Sequence, residues 1–179
     1  MVETKRLQRV QYELLNAKQT RQFLILLEGM YEANALVDIF KDYVVLRSQK
    51  KRVMICNKEV FTLPLEALRI DTLGLYLGTL EEDGFRLSIE GCQLLFPYAN
   101  KKIPLAQEQF LFWLQGQNLQ TKEVFSQLNR VPEYGTYAIF YYKNHAAGCG
   151  KITKEQILNF LPKVRRLQGG ADQAMISES

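Results

Sequence analysis

Histidine is nearly missing from this chain: His145 is the only one among 179 residues. A Ser/His/Asp or Cys/His catalytic site would have to use it, yet no nucleophile motif stands with it, so a surface or turn histidine is expected. The three cysteines, Cys56, Cys92 and Cys149, are odd in number and far apart. They give no disulfide framework and read as reduced, buried thiols. Paired Cys or His spacing for a metal is also absent. No apolar run approaches the roughly 20 residues of a membrane-spanning helix, and the N-terminal MVETKRLQRV lacks the apolar core of a signal peptide. A soluble, intracellular protein without membrane contact is expected.

The loops that handle phosphates and dinucleotides are missing too. Gly148-Cys149-Gly150-Lys151 has the outline of a phosphate loop, but His145 stands where its first glycine belongs and Ile152 replaces the Ser or Thr that would meet magnesium. The acidic trio Glu81-Glu82-Asp83 has no partner base and reads as a solvated turn. The expectation is a protein that is not an enzyme, with no cofactor, no metal and no catalytic residues.

What the chain does have is a core and an uneven charge. Hydrophobic residues make up 47% of it, enough to fold, and its formal net charge is +4. Residues 1–100 carry thirteen Lys and Arg against thirteen Asp and Glu. Residues 101–168 carry ten against four, a net of +6. Clustered positive charge is the footprint of a nucleic-acid-binding surface, because each phosphate contact releases counterions; a modestly basic solvated surface would look the same.

Local patterns set the element order. Lys5–Lys18 reads as an amphipathic helix with Leu7, Val10, Leu14 and Leu15 on one stripe. The continuous apolar run Phe23–Leu27 reads as a strand, and Ala33–Phe40 as helical. Tyr43–Arg47 and Val53–Cys56 form a hairpin, after which Asn57 caps a helix that Pro64 interrupts. A second hairpin, Leu73–Leu80 with Phe85–Ile89, turns on Glu81–Gly84, where Gly84 can take positive φ. Glu90–Phe96 reads as a short helix ended by Pro97. Next come a strand near Lys102–Leu105, a helix over Ala106–Leu114, and a helix over Thr121–Leu128 capped by Thr121.

The densest signal lies at Tyr134–Leu167. Tyr137–Tyr142 suits a half-buried strand. Lys143-Asn144 make a turn, Ala146–Lys151 is a glycine-containing strand, and Lys163–Leu167 reads as a short basic strand after Pro162. Most of the aromatic run is expected in a core, while alternation leaves part of it free to stack on bases. Trp113 reads either as a core anchor or as a partner-binding residue.

The hydrophobic strand, the small-Gly-x-Gly-Lys strand ending at Lys151, and the closing Pro162-Lys163-x-x-Arg166 resemble a PUA domain, a small β-barrel RNA-binding module. Upstream, Leu77-Gly78-Thr79, Phe85-Arg86-Leu87, Pro97-Tyr98-Ala99 and Gln107–Leu111 followed by Gly116 keep the order seen in Nip-seven-type ribosome-biogenesis factors. That resemblance covers roughly residues 70–167. The ending Asn159–Arg166 is also similar to PUA domains attached to RNA cytosine methyltransferases.

The resemblance implies an α+β fold: a small N-terminal α/β pre-PUA domain with a hairpin-rich sheet at 1–99, a PUA β-barrel at 100–168 and a mobile tail at 169–179. It implies RNA, ribosomal or pre-ribosomal, as partner, together with ribosome-assembly or RNA-modification proteins. The location would be cytoplasmic in a prokaryote and nucleolar or nuclear in a eukaryote. RNA contacts would come from Lys151, Lys163, Arg165 and Arg166, with Lys143 and Lys154 in support. Gly148 and Gly150 would let an RNA backbone come close. Strand alternation would put Lys163 and Arg165 on one face and Arg166 on the other.

Overall fold

The computed structural model of the protein describes residues 12–67, 70, 72–126, 128 and 132–168. Two five-stranded sheets carry the fold, with helices between and around them.

The first sheet is antiparallel throughout, in the order β1-β2-β3-β4-β5. Its strands are β1 (Tyr12–Leu14), β2 (Tyr43–Ser48), β3 (Arg52–Asn57), β4 (Leu75–Glu81) and β5 (Gly84–Leu87). Both expected hairpins are present, and Gly84 takes its φ of +145° at the second turn. Asn57 accepts a hydrogen bond from the Glu59 amide at 2.8 Å and so caps the 3-10 helix Lys58–Thr62, which stops ahead of Pro64.

Two expectations near the N-terminus are corrected. The helix expected over Lys5–Lys18 lies partly outside the described residues, and Tyr12–Leu14 is an edge strand paired with β2. The strand expected at Phe23–Leu27 lies inside helix α1 (Ala17–Tyr31). Five consecutive apolar residues have no period of their own, and here the cap decides. The Asn16 side chain accepts from the Gln19 amide and the Gln19 side chain accepts from the Asn16 amide, both at 2.9 Å. The helix buries Leu24, Leu27 and Tyr31, a spacing of three and four, and leaves Ile25 and Leu26 exposed. Helix α2 (Leu36–Ile39) lies within the expected Ala33–Phe40 segment, and α3 (Ile89–Leu95) ends just before Pro97.

The second sheet is a curled half-barrel in the order β6-β8-β9-β10-β7. Its strands are β6 (Lys102–Pro104), β7 (Leu119–Gln120), β8 (Tyr137–Tyr142), β9 (His145–Ile152) and β10 (Gln156–Asn159). Only β6, parallel to β8, departs from antiparallel pairing. Helices α4 (Gln107–Leu114) and α5 (Thr121–Phe125) lie close to the expected segments. Thr121 does not cap α5, however; it is buried as the first helical residue, and its hydroxyl donates to the Thr153 carbonyl at 3.0 Å.

Strand β8 joins the two halves. Tyr137 and Ile139 point into a core that includes Leu27, Tyr31, Phe85 and Cys92, whereas Ala138 and Phe140 point into a second core with Trp113, Ile152 and Ile157. Both faces of the strand's first four residues are therefore buried, and only Tyr141 and Tyr142 are half-exposed. Deep in the shared core the Tyr31 hydroxyl donates to the Phe85 carbonyl at 2.6 Å and lies 3.5 Å from Cys149 Sγ. Burial pushes the Tyr31 phenol and the Cys92 thiol well up from their ordinary values. All three cysteines are buried and free.

Trp113 is a core anchor. It is fully buried, stacks on Phe140 at 4.9 Å between ring centroids, and donates through Nε1 to the Ala147 carbonyl at 3.1 Å. This ring explains Gly150 of β9: a Cβ there would lie 2.7 Å from both Trp113 and Phe140. Gly150 therefore makes room for an indole. The expected approach of an RNA backbone is corrected at Gly150, whose open side the Trp113 and Phe140 rings fill.

Candidate nucleic-acid interface

The closing segment is a turn, which corrects the basic strand expected at Lys163–Leu167. β10 is already flanked by β7 and β9, so the residues after Pro162 cannot pair beside it. Their backbone closes on itself in the 3-10 helix Lys163–Arg165, with the Arg165 amide donating to the Pro162 carbonyl at 2.8 Å. Leu167 then ties back to the Leu114 carbonyl at 2.9 Å. The alternation argument for Lys163 and Arg165 therefore does not apply.

Within this turn the cations have different surroundings. Lys163 is exposed. Arg165 is exposed as well, and its guanidinium pairs with Glu90 of α3 at 2.9 Å. Arg166 is half-buried; its Nε donates to the Leu161 carbonyl at 3.0 Å, and its stem lies where a Cβ on Gly116 would be, 2.4 Å away. Gly116 has a φ of +82°, a backbone conformation that also favours glycine.

The other expected cations lie apart from the turn. Lys151 pairs with Asp83 in the β4–β5 turn and sits 5.8 Å over the Tyr137 ring. The Lys151 ammonium holds the Asp83 carboxyl below its ordinary value. Burial, and then the hydrogen bond to Asp83, pushes the Tyr137 phenol far up. Lys143 lies 5.6 Å over Tyr142 at one end of β9, and Lys154 is exposed at the other. Eight residues of strand separate those ends by roughly 25 Å. The structure thus groups Lys163, Arg165 and Arg166, and sets Lys151, Lys143 and Lys154 elsewhere.

Beside the closing turn a cleft of about 230 Å³ opens between the two sheets. Arg86, Ser88, Glu90, Phe160, Val164 and Arg165 are among the residues that line it. The Arg86 guanidinium lies 4.7 Å over the Phe160 ring and pairs with Glu81 at 2.9 Å. Val164 is 90% exposed at the mouth. Sequence reasoning did not connect Arg86, Glu90 and Phe160, because the residues that meet here are some 75 positions apart. Among the described residues no group of His, Cys, Asp and Glu could hold a metal ion, and no helix is long and apolar enough to cross a membrane.

The curled sheet, its helices and the closing turn are a PUA-like domain in the C-terminal part of an α+β chain. Residues 100–167 match the family model of the methyltransferase RsmF PUA domain. No curated protein matches the chain.

Proposed function

We propose that this protein is a non-enzymatic RNA-binding protein that assists ribosome biogenesis or pre-rRNA processing, in the manner of the Nip-seven-type factors its sequence resembles. The observation that carries RNA binding is the PUA-like domain at 100–167, in the same stretch that holds the chain's excess positive charge. Lys163 and Arg165 are the leading phosphate contacts, since both are exposed in the closing turn. Arginine grips a phosphate with two parallel donors, and lysine acts as a point charge. Lys151 and Arg166 are half-buried, hold partners within the fold and contribute less.

The match to the RsmF-type PUA domain favours a second reading, in which the chain targets a partner cytosine methyltransferase to RNA. Affinity for single-stranded RNA, measured against salt, tests the shared element: log affinity should fall linearly with log salt. A flat dependence removes phosphate neutralisation as the mechanism. Co-purification separates the roles, with pre-ribosomal particles expected for the first and a methyltransferase for the second.

A further inference from the structure

We infer that the tip of the β2–β3 hairpin, Lys50, Lys51 and Arg52, is a second phosphate-binding patch, which holds single-stranded RNA where it runs on from the closing turn. The inference rests on the RNA-binding reading and extends its surface onto the first sheet.

Charge is the first argument. Residues 1–100 are neutral as a whole, yet residues 43–58 carry Arg47, Lys50, Lys51, Arg52 and Lys58 with no Asp or Glu. Arg47 pairs with Glu13 at 2.8 Å, and Arg86 with Glu81 at 2.9 Å. Lys50, Lys51 and Arg52 are exposed, and among the described residues no carboxylate pairs with them. A phosphate arriving at the tip therefore displaces no acid. Residues 48–52 also include no apolar side chain. Protein interfaces centre on buried aromatic and apolar groups, so cations alone suit a phosphate backbone better.

Position is the second argument. Arg52 stands opposite Thr79 of β4, and Thr79 opposite Arg86 of β5. Residues in such a row share one face. Their sequence neighbours Val53 and Phe85 point into the core on the other side, so the row faces outward. Two strand spacings put Arg52 roughly 10 Å from Arg86. The Arg52 guanidinium lies 5.8 Å from the Tyr76 ring, and among the described residues no acceptor holds its N–H donors. Tyr76 in turn lines the same cleft as Val164, the neighbour of Lys163. The hairpin tip and Lys163 thus border one surface, with the Arg86–Phe160 contact between them.

Rigidity is the third argument. The Lys51 amide donates to the Ser48 carbonyl and the Arg52 amide to the Ser48 hydroxyl, both at 3.1 Å. The Leu80 amide donates to the Lys51 carbonyl at 2.9 Å. Binding then orders side chains and leaves the loop as it is. Lys51 has a φ of +59°, where glycine or asparagine sits at less cost. The turn gives no reason for a lysine there; a phosphate contact does.

The test uses the full chain with Lys50→Gln, Lys51→Asn and Arg52→Gln together. A control with Lys18→Gln, Arg21→Gln and Lys41→Gln removes the same charge from exposed positions on and beside α1 and α2. Those helices pack on the opposite face of the sheet through Leu24, Leu36 and Phe40. The probe is a single-stranded oligouridylate of about 16 nucleotides, the long end of single-domain site sizes. Anisotropy over a salt series reads its affinity. The tip variant should bind about tenfold more weakly at low salt, and its log–log slope should fall by about two, for three phosphate contacts at roughly 0.7 each. The control should keep the wild-type slope. Urea unfolding checks the fold; if the triple variant is unfolded, Lys50→Gln with Lys51→Asn carries the test, with a slope change of about 1.4. If variant and control behave alike, whether both hold or both fall, the patch is wrong and RNA binding stands. If the wild type binds no RNA at low salt, the RNA-binding reading fails and the patch with it.

Discussion

Arg165 and Glu90 meet at 2.9 Å across the boundary between the closing turn and helix α3. A phosphate that binds Arg165 must compete with that carboxylate. Glu90→Gln should therefore raise RNA affinity at low salt by roughly two- to fivefold, the scale of an exposed ion pair. The gain should shrink as salt screens both interactions. Fluorescence anisotropy at two salt concentrations measures it; no gain at either would take Arg165 out of the RNA contact.

Lys163→Ala combined with Arg165→Ala should weaken RNA binding nearly uniformly across sequences and lower the salt slope by about one to two phosphate contacts. Stability should change by no more than about 0.5 kcal/mol, since both side chains face solvent. Urea unfolding of the same sample separates lost binding from lost folding.

Arg166→Ala should behave in the opposite way. Removing it leaves the Leu161 carbonyl without this donor and uncovers Gly116. About 1 kcal/mol of stability should go, the net worth of one such hydrogen bond. The salt slope for RNA should hold. An unchanged urea midpoint with a reduced slope would make Arg166 an RNA contact after all.

Tyr31→Phe should cost about 1–3 kcal/mol, because the buried Phe85 carbonyl loses its 2.6 Å donor while the ring stays in place. The unfolding transition should remain a single step, since Tyr31 sits where both halves share one core. Two resolved transitions in calorimetry would contradict that.

The Lys151–Asp83 pair gives an acid-sensitive contact. Asp83 is held below its ordinary value in the fold, so its contribution is fully present above the unfolded pKa of about 3.9. It is lost as pH falls through the lower folded value. Wild type should thus lose more stability than Asp83→Asn between pH 5 and pH 2. Parallel stability–pH curves would show that the pair contributes nothing; the pair is partly exposed, and its effect stays within about 1 kcal/mol.

Most of the hairpins and short helices were legible because each carries its own local signal: Gly84 at a turn, Asn57 before Pro64, Gly148-Cys149-Gly150 in a strand. Phe23–Leu27 was misread because an unbroken apolar run looks alike in helix and strand. The Asn16-x-x-Gln19 cap held the answer and is easily missed, since asparagine replaces the usual Ser or Thr. Lys163–Leu167 was misread because a strand needs a free edge, and edges are decided by chain segments far away. The candidate site was half legible for the same reason. Lys163 and Arg165 stand out in the sequence, but nothing local tells that Glu90 and Arg86 will face them.

The shared core has a consequence for how the chain is made. Leu27 and Phe85 complete their packing only against Tyr137, Ile139 and Cys149, and β7 finds its edge only when β10 has emerged. During synthesis from the N-terminus, the first sheet must wait with an apolar face uncovered until Cys149 has left the ribosome. Truncation before Cys149 should therefore yield a chaperone-bound or aggregated product, and an early stop codon should not release a working first half.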